Sequence, residues 1–515
     1  MSSGSKKKAV YIIYGRTLFV ILAVLVQVAV LALCFTWLAN YKTYISMGLM
    51  LLSAILVIYI VNSKSNPAFK LAWVIPMLVF PVFGGLIYIC FRLQPGARAV
   101  DKRLRKLQKL TAHFTPQQTD VHDKLARESA QVANLSAYLY KFGGYPTYEN
   151  TAVKYFRSGE EKFEALIPEL EKAEKFIFLE YFILEESYMW DTVLEVLKRK
   201  VKEGVEVRLM YDGTCSISLL PYEYPKQLRE YGIQCKEFGP IVPILSTSQN
   251  NRDHRKICVI DGKVAFTGGV NLADEYINKK VRFGHWKDTA IKIEGDAVQS
   301  FTMMFLQMWN ITERQPEDYA KYLTEKQPGF SRKDGYIIPY GDSPFDHENV
   351  GEEVYFHILN HAKKYVHIMT PYLILDNEMI DALTRAAKGG IEVQIIMPHI
   401  PDKPYAFYLA KTYYEELIAG GVEIYEYTPG FVHAKVFTSD DDTATVGSIN
   451  LDYRSLYLHF ECGVFIYRNP VVRDIEKDFQ ETLAKCQKIT MTEVRNRSTF
   501  VKIYGQVLRI VAPLM

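Results

Sequence analysis

The stretch that decides the fold reads H-R-K-I-C-V-I-D at residues 254–261 and is followed by G-G-V-N at residues 268–271. A second copy reads H-A-K-V-F-T-S-D at residues 433–440, followed by G-S-I-N at residues 447–450. Both copies have the form H-x-K, four residues, D, six residues, G-[GS]-x-N. A single copy of so short a pattern often arises by chance, whereas two copies with the same extension indicate two halves of one catalytic site.

The residue types in each copy suit chemistry at a phosphate group. Side chains alternate between the faces of a β-strand, so His254 and Lys256 point the same way, as do His433 and Lys435. An imidazole can act as a nucleophile or a proton donor near neutral pH. Lysine and asparagine supply positive charge and N–H donors for an anion with several oxygens. The predicted phosphate-binding residues are Lys256, Asn271, Lys435 and Asn450.

The elements around the motif repeat as well. In the first half, an apolar run at 176–184 precedes a helix pattern and a strand pattern that begins at Gly204. In the second half, an apolar run at 365–374 precedes a helix pattern and a strand pattern that begins at Gly390. Alternating strands and helices predict a mostly parallel sheet covered by helices. We therefore predict an α/β fold with two tandem α/β/α domains related by a pseudo-twofold axis, whose two motifs surround one phosphorus atom.

Four acidic residues are candidates for a part in this chemistry. Asp261 and Asp440 complete the motif and are counted with the histidines and lysines as candidate catalytic residues, with a structural role in a turn as the alternative. A histidine nucleophile usually needs a carboxylate at its other ring nitrogen. Glu461 and Asp288 each begin an apolar strand after a motif and are the predicted histidine-orienting residues, with a solvated strand-edge charge as the alternative. The other histidines lack a repeated partner and are interpreted as ordinary residues.

The first hundred residues are far more apolar than the rest. Residues 17–39, 44–61 and 71–91 contain no charged side chain. The first run is long enough to span a bilayer and the second just long enough; the third contains prolines and glycines, so it spans with a kink or enters and returns. Basic residues stand on both sides of this region and compete for the inside face. We predict an N-terminal transmembrane region of two or three helices, with the orientation left open.

Two further segments have alternative interpretations. Residues 99–130 are polar and form either a solvated connector or a basic helix at the lipid headgroups. Residues 501–515 form either an amphipathic helix at the membrane surface or a helix packed on the catalytic domains.

Composition argues against several classes of protein. The net charge of +3 disfavours a broad nucleic-acid-binding surface, although a local basic groove is compatible with it. The seven cysteines are scattered without a CxxC pair, which argues against a disulfide framework and a zinc site. No Asp or Glu stands at the usual ligand spacing from His254 or His433, and the lysine beside each histidine disfavours a cation. We predict no metal and no cofactor.

The doubled motif resembles the signature of the phospholipase D superfamily. The chain is further similar to bacterial cardiolipin synthases over almost its whole length from about residue 45. The run 17–39 is an extra segment ahead of the two spans usual in that family. One departure is Gly268-Gly269, where Gly-Ser is frequent; we expect little effect from it. The segments that carry the resemblance are 70–73, 81–85, 176–184, 446–455 and 512–514.

The resemblance implies phosphatidyl transfer between two phosphatidylglycerol molecules, which gives cardiolipin and glycerol through a covalent phosphatidyl-histidine intermediate. By analogy, His254 is the nucleophile and His433 the general acid and base, but the near symmetry of the sequence leaves this order open. The implied partners are phosphatidylglycerol, cardiolipin and membrane lipids, without nucleic acid, and a homo-oligomer is left open. We expect a multi-pass protein of the cell membrane with cytoplasmic catalytic domains.

The predicted boundaries follow from these patterns: a transmembrane region at 1–95, a helical connector at 96–149, and two phospholipase D-like domains at 150–325 and 326–515. Two alternatives use the same histidines, namely phospholipase D-type hydrolysis and phosphatidyl transfer to another alcohol. A membrane-anchored nuclease is less favoured because the net charge is near neutral. A non-catalytic protein is not expected, since both motif copies keep their histidine and lysine.

Overall fold

The computed structural model describes residues 43–80, 84–85, 88–89, 95–240, 250–315, 317–324, 335–346 and 348–514, with a few positions between 25 and 36. The predicted apolar run 17–39 lies almost entirely outside the described residues. Helix α1 (Thr43–Val61) coincides with the second predicted run, and α2 (Pro67–Val79) with the start of the third. No helix of the described part has both the length and the apolar content needed to cross a membrane. The transmembrane region therefore stays a prediction.

The first half of the chain builds one sheet from seven strands: β1 (Thr151–Phe156), β2 (Phe176–Tyr181), β3 (Glu206–Asp212), β4 (Gln234–Phe238), β5 (Lys256–Ile260), β6 (Val264–Gly268) and, after a short β7 (His285–Lys287) outside this sheet, β8 (Ala290–Gly295). Their spatial order is β1-β8-β6-β5-β2-β3-β4. The strands β2, β3 and β4 are parallel, whereas every other neighbouring pair is antiparallel.

The second half repeats this arrangement. Its strands are β9 (Tyr336–Asp342), β10 (Tyr365–Met369), β11 (Glu392–Pro398), β12 (Glu423–Tyr427), β13 (Gly430–Val432), β14 (Val436–Ser439), β15 (Thr443–Gly447), β16 (Glu461–Tyr467) and β17 (Cys486–Lys488). The order β12-β11-β10-β14-β15-β16-β9 matches β4-β3-β2-β5-β6-β8-β1 of the first sheet, with β17 added beside β12. The predicted α/β fold with two repeated sheet domains is confirmed.

The prediction of a mostly parallel sheet is wrong. Each motif strand returns through a tight turn and pairs antiparallel with the next strand. Asp261 and Gly262 in the first turn, and Asp440 and Asp441 in the second, have φ between 53° and 65°. Two consecutive residues with positive φ are typical of the type I′ turn that joins hairpin strands. The motif therefore contains its own hairpin, which a pattern of alternating strands and helices does not reveal.

Helices cover the sheets: α3 (Pro95–Thr111), α4 (Thr119–Glu128), α5 (Ala130–Tyr138), α6 (Gly159–Glu171), α7 (Tyr188–Lys202), α8 (Cys215–Ser218), α9 (Tyr224–Glu230), α10 (Val298–Trp309), α11 (Val350–His361), α12 (Asn377–Lys388), α13 (Pro404–Ala410), α14 (Tyr414–Ala419), α15 (Tyr453–Tyr457), α16 (Val471–Leu483), α17 (Met491–Arg495) and α18 (Thr499–Val511). One hydrophobic core joins both halves and includes Ile257 of β5, Val436 of β14 and Phe305 of α10. This shared core fixes the two motif strands relative to each other. The strands of the two sheets lie within the predicted limits 150–325 and 326–515, whose boundaries stay predictions.

The connector and the C-terminal helix both pack on the catalytic domains. Leu104 and Leu107 of α3 are buried, and Arg103 donates to the carbonyl oxygen of Glu313 (2.8 Å). In α18, a Cβ atom at Gly505 would lie 2.5 Å from Thr412 Cγ2, so that face of the helix is in close contact with the residues after α13. The opposite face of α18 leaves its large apolar side chains exposed, namely Phe500, Ile503, Val507 and Ile510.

Candidate active site

Backbone pairing with the opposite half holds each motif histidine in place. The His254 N–H donates to the Phe460 carbonyl oxygen (2.9 Å), and the His433 N–H donates to that of Lys287 (2.6 Å). Directly before the second motif, β13 runs parallel to β7 of the first half. The ammonium group of Lys256 also contributes to lowering the pKa of His433, although burial of this imidazole is the larger cause. Both motifs therefore begin at the contact between the halves.

Each histidine contacts a carboxylate of the other half. His254 Nδ1 lies 2.9 and 3.0 Å from the two carboxylate oxygens of Glu461. His433 Nδ1 lies 2.7 Å from Asp288 Oδ2. All four side chains are buried. These contacts leave Nε2 of each ring for a substrate. Both carboxylates were predicted from the sequence as histidine-orienting residues. The structure adds that each one contacts the histidine of the other half.

Burial is the largest influence on the protonation of these groups. It lowers the pKa of His433 to about 4 and holds the pKa of His254 well below its ordinary value. Burial alone would raise the pKa of each carboxyl group, but the adjacent imidazole holds the pKa of Glu461 and of Asp288 below its ordinary value. At neutral pH the unliganded site therefore contains two neutral imidazoles and two carboxylates. A neutral imidazole has the lone pair that a nucleophile requires.

The two motif lysines are buried beside the histidines. Each ammonium group donates to the carbonyl oxygen of the histidine two residues earlier in the chain. Burial lowers the pKa of Lys256 to about 8 and the pKa of Lys435 to about 7. Removing a cation from water is costly unless an anion accompanies it. The lysines thus form a buried site suited to an anion such as a phosphodiester.

The fold holds both motif asparagines through their amides. Asn271 Oδ1 accepts from the Ile183 N–H (2.9 Å), and its Nδ2 donates to the Tyr276 hydroxyl (2.8 Å). Asn450 Nδ2 donates to Ser455 Oγ (3.0 Å). Each Nδ2 carries a second N–H bond, so the predicted phosphate contact remains a prediction.

Comparison with known proteins assigns the family. A family model described as "Cardiolipin synthase, PLD-like domain" matches residues 166–309 and 355–483, and one described as "Phospholipase_D-nuclease N-terminal" matches residues 51–92. A cardiolipin synthase from Geobacillus kaustophilus is 34% identical over 462 residues, which cover 89% of this chain and 91% of that protein. The chain belongs to the phospholipase D-like cardiolipin synthase family. The predictions of a cardiolipin synthase and of a phosphatidyltransferase are thereby confirmed, and its substrates are phospholipids.

Further relatives extend the likeness over most of the chain. An uncharacterized protein from Streptococcus mutans is 51% identical over 460 residues, which cover 89% of this chain and 99% of that protein. A cardiolipin synthase from Alkalihalophilus pseudofirmus is 31% identical and covers 89% of this chain and 91% of that protein. The crystal structure of phosphatidylserine synthase from Haemophilus influenzae has the same fold, with a TM-score of 0.57 and 14% identity over 75% of this chain and 100% of that one.

The placement of Asp261 and Asp440 in this cardiolipin synthase-family chain favours the structural role that the sequence analysis left as the alternative to catalysis. Each lies at the end of its motif strand opposite the histidine, seven residues and therefore about 23 Å away at about 3.3 Å per residue. Asp261 accepts hydrogen bonds from the backbone N–H groups of residues 174–176, at 2.7–2.8 Å. Asp440 does the same for residues 363–365, at 2.7–3.2 Å. Both aspartates therefore anchor the segment that leads into the neighbouring strand.

Glycine at position 269, where the family frequently has serine, has a steric reason. A Cβ atom at this position would lie 2.0 Å from Asp288 Oδ1, the carboxylate that binds His433. The equivalent Ser448 instead donates from Oγ to Glu461 Oε2 (2.5 Å). The shorter aspartate thus accompanies glycine, and the longer glutamate accompanies serine. The sequence alone did not connect these two differences, because the residues of each pair come from separate strands.

His459 is a site residue that the sequence interpretation missed. Its buried ring lies 5.4 Å from the His254 ring, and its Nδ1 is 3.7 Å from Glu461 Oε1. Neither ring nitrogen has a hydrogen-bond partner among the described residues. The first half has Trp286 at the equivalent position, 5.1 Å from the His433 ring. Because histidine is not repeated there, the doubled pattern of the sequence does not mark His459.

The same three side chains have the spacing of a metal-binding group. Ligand atoms of His254, His459 and Glu461 lie within 4.8 Å of one another. The sequence had offered no carboxylate for such a group, since Glu461 is distant in the chain. The ammonium group of Lys256, next to His254, still disfavours a cation there. The predicted absence of a metal stays a prediction.

Proposed function

We propose that this chain transfers a phosphatidyl group from one phosphatidylglycerol molecule to another, which produces cardiolipin and glycerol. The observation that carries this proposal is the facing pair of histidine–carboxylate contacts, with a buried lysine beside each histidine. Two histidines at one anionic site suit a displacement in which one attacks phosphorus and the other handles the proton of an alcohol.

In the first step, His254 Nε2 attacks phosphorus and the bond from phosphorus to the glycerol oxygen breaks. Glu461 accepts the Nδ1 hydrogen bond and stabilises the positive charge that develops on the ring. His433, protonated at Nε2 when the anionic substrate is bound, donates that proton to the departing glycerol oxygen. Asp288 orients His433 through Nδ1. The products of this step are glycerol and a phosphatidyl group on His254.

In the second step, His433 removes the proton from a hydroxyl group of a second phosphatidylglycerol. The hydroxyl oxygen attacks phosphorus, and the bond between phosphorus and His254 Nε2 breaks. Cardiolipin forms, and both histidines return to their starting states, with the proton on His433. The assignment of His254 as nucleophile follows family analogy, and the exchange of roles between the two histidines gives the same overall reaction.

Buried positive charge supports the choice of a phosphodiester. The pKa of Lys256 is lowered to about 8 and that of Lys435 to about 7 because both are buried. A bound phosphodiester anion would favour the charged form of both lysines and of His433. Substrate binding therefore prepares the protonated histidine that the first step requires.

We propose that the protein is a multi-pass protein of the cell membrane with its catalytic domains in the cytoplasm. Helix α1 exposes large apolar side chains, among them Met47, Leu51, Ile55 and Ile58. Helix α18, which also exposes large apolar side chains, contacts α2. Exposed apolar surface of this kind suits a lipid bilayer. We do not propose a nucleic acid as a substrate. A homo-oligomer stays a prediction.

The test uses purified full-length protein in vesicles that contain phosphatidylglycerol with a labelled headgroup. Formation of cardiolipin together with free labelled glycerol supports the proposal. Formation of phosphatidic acid without cardiolipin would contradict the proposal and indicate hydrolysis. A different lipid product in the presence of another alcohol would indicate that this alcohol is the acceptor. Cleavage of added DNA would support a nuclease.

The histidine variants have a matched control. His254→Ala and His433→Ala should each abolish cardiolipin formation while the proteins remain folded. His367 is an equally buried histidine whose Nδ1 lies 2.9 Å from Glu476, outside the site. His367→Ala should keep the activity in proportion to its folded fraction. Substantial turnover by either motif variant would contradict the shared-site mechanism.

A further inference from the structure

A large cavity lies between the N-terminal helices and the second catalytic domain. Its volume is about 1320 Å³. The end of α1, the following loop and α2 form one wall, and α11 with the residues after β9 forms the other. Sites for drug-sized ligands occupy about 300–1,000 Å³, so this cavity suits a larger molecule.

Specific contacts hold the N-terminal wall of this cavity. Asn66 Nδ2 donates to Asp376 Oδ2 and to the Tyr457 hydroxyl oxygen, both at 3.0 Å. The ring of Phe69 packs edge-on against Tyr453 and Tyr457, with centroids 5.7 and 5.6 Å apart. These bonds fasten the loop between α1 and α2 to α15 and Asp376. The cavity is therefore part of the packed structure and not a loose gap between two units.

The cavity adjoins the catalytic site through Leu458. This residue lines the cavity, and its carbonyl oxygen accepts from Asn251 Nδ2 (3.0 Å), three residues before His254. The next residue is His459, whose ring lies beside that of His254. One residue thus separates the cavity wall from the reacting histidine.

The cavity walls combine apolar rings with positive charge. Phe69, Trp73 and Phe356 contribute aromatic surface, and Lys64 and Lys70 lie on the N-terminal wall. Such a combination matches a molecule with apolar chains and an anionic headgroup.

Several carboxyl groups lie on the walls as well. Burial, aided by Asp376, raises the pKa of Glu352 to about 9, and burial also raises the pKa of Glu353. Glu352 is therefore neutral at pH 7, and its repulsion of an anion is removed. Glu348 and Glu378 also line the cavity, and carboxyl oxygens there are acceptors for headgroup hydroxyls.

We propose that this cavity binds one diacyl phospholipid substrate between the membrane and the catalytic histidines. The acyl chains lie against Phe69, Trp73 and Phe356, and the phosphodiester lies near Lys64 and Lys70 before it passes Leu458. The proposal rests on the proposed function and adds the place where the lipid is held.

Substrate chain length provides the decisive test, because a short-chain lipid in solution does not need the cavity. Ser343 lines the cavity, so Ser343→Trp fills part of it. For this variant kcat/KM with long-chain phosphatidylglycerol should fall about tenfold or more, while kcat/KM with dihexanoyl-phosphatidylglycerol should change less than about twofold. Unchanged values with both lipids, or equal losses with both, would overturn the proposal. The short-chain activity also reports that the variant is folded.

Photo-crosslinking gives a second readout that does not depend on turnover. Phosphatidylglycerol with a photoreactive acyl chain should label residues 58–73 or 343–356 of the full chain in vesicles. The double variant Lys64→Glu, Lys70→Glu should reduce this labelling, whereas Lys226→Glu, Lys477→Glu, at two exposed lysines outside the cavity, should not. Labels confined to other segments would overturn the cavity assignment. Labelling as expected without cardiolipin formation would refute the proposed function and leave the cavity assignment standing.

Discussion

Replacement of Glu461 by glutamine isolates the contribution of one exchanged carboxylate. The side chain keeps its size but loses its charge, and it contacts His254 and Ser448 without being the predicted ligand of the phosphate. We expect kcat to fall and KM to change little, since the affected group orients the histidine and does not bind the lipid.

The magnitude follows from the contacts. Glu461 accepts from His254 Nδ1 at 2.9 Å, and a hydrogen bond to a charged group contributes about 1.5–3 kcal/mol. At about 1.36 kcal/mol for each factor of ten, this loss corresponds to about 10- to 150-fold in kcat. If the amide N–H faces Nδ1, the ring must place its proton on Nε2 and loses the attacking lone pair. A wrong tautomer in such a pair lowers kcat by about 10⁴-fold, which sets the upper limit.

The chain offers a closely matched control. His367 Nδ1 lies 2.9 and 3.1 Å from the carboxylate oxygens of Glu476, almost the geometry of His254 and Glu461, but outside the site. Glu476→Gln should therefore leave kcat unchanged when both proteins are assayed for cardiolipin formation in vesicles, with folding checked by circular dichroism. A folded Glu461→Gln variant with a kcat within about threefold of the parent would refute the orienting role.

Three further predictions address the neighbouring features. Gly269→Ala brings a Cβ atom 2.0 Å from Asp288 Oδ1 and should lower kcat at least about tenfold, because the carboxylate of His433 must move. Ser448→Ala, at the equivalent position, already accommodates a Cβ atom and should lower kcat less; equal losses would contradict the steric argument. Asp261→Asn removes the charge that accepts three backbone hydrogen bonds and should lower the free energy of unfolding by about 1.5–3 kcal/mol, seen as a lower Tm, with kcat per folded molecule unchanged. With a pKa of about 7 for Lys435 and about 8 for Lys256, both side chains carry positive charge below these pH values and lose it above them. The value of kcat/KM should therefore fall as the pH rises from 7 to 9. A flat pH profile over this range would exclude a charged lysine from substrate binding.

The residues that the sequence could predict are those that the repeat marks twice. His254 and Lys256 recur as His433 and Lys435, and the carboxylates recur as the first residues of corresponding segments. His459 has Trp286 as its counterpart in the first half, so the repeat does not mark it. Chemical type and spacing therefore predict the symmetric part of the site, and residues present in only one half require the structure.

The pairing of groups across the halves was also beyond the sequence. Nothing in the spacing tells whether Glu461 serves His433, from its own half, or His254. The structure decides this because Phe460 pairs with the backbone of the first motif, which brings the next residue to His254. The prediction of a mostly parallel sheet was wrong for a related reason. The hairpin turn at Asp261 depends on positive backbone φ angles, which an aspartate can adopt but which its presence in the sequence does not predict.

The exchange of carboxylates links the two motifs. Each half holds a histidine whose orienting group belongs to the other half, and an isolated half would leave Asp288 or Glu461 without its imidazole. A second contact between the halves lies outside the site, where Lys287 Nζ of the first half forms a salt bridge with Asp478 Oδ2 of the second at 2.7 Å. The mechanism nevertheless needs two different roles from two similar histidines. The halves differ beside these histidines at Gly269 against Ser448, Asp288 against Glu461 and Trp286 against His459. We propose that these differences contribute to the division between nucleophile and acid.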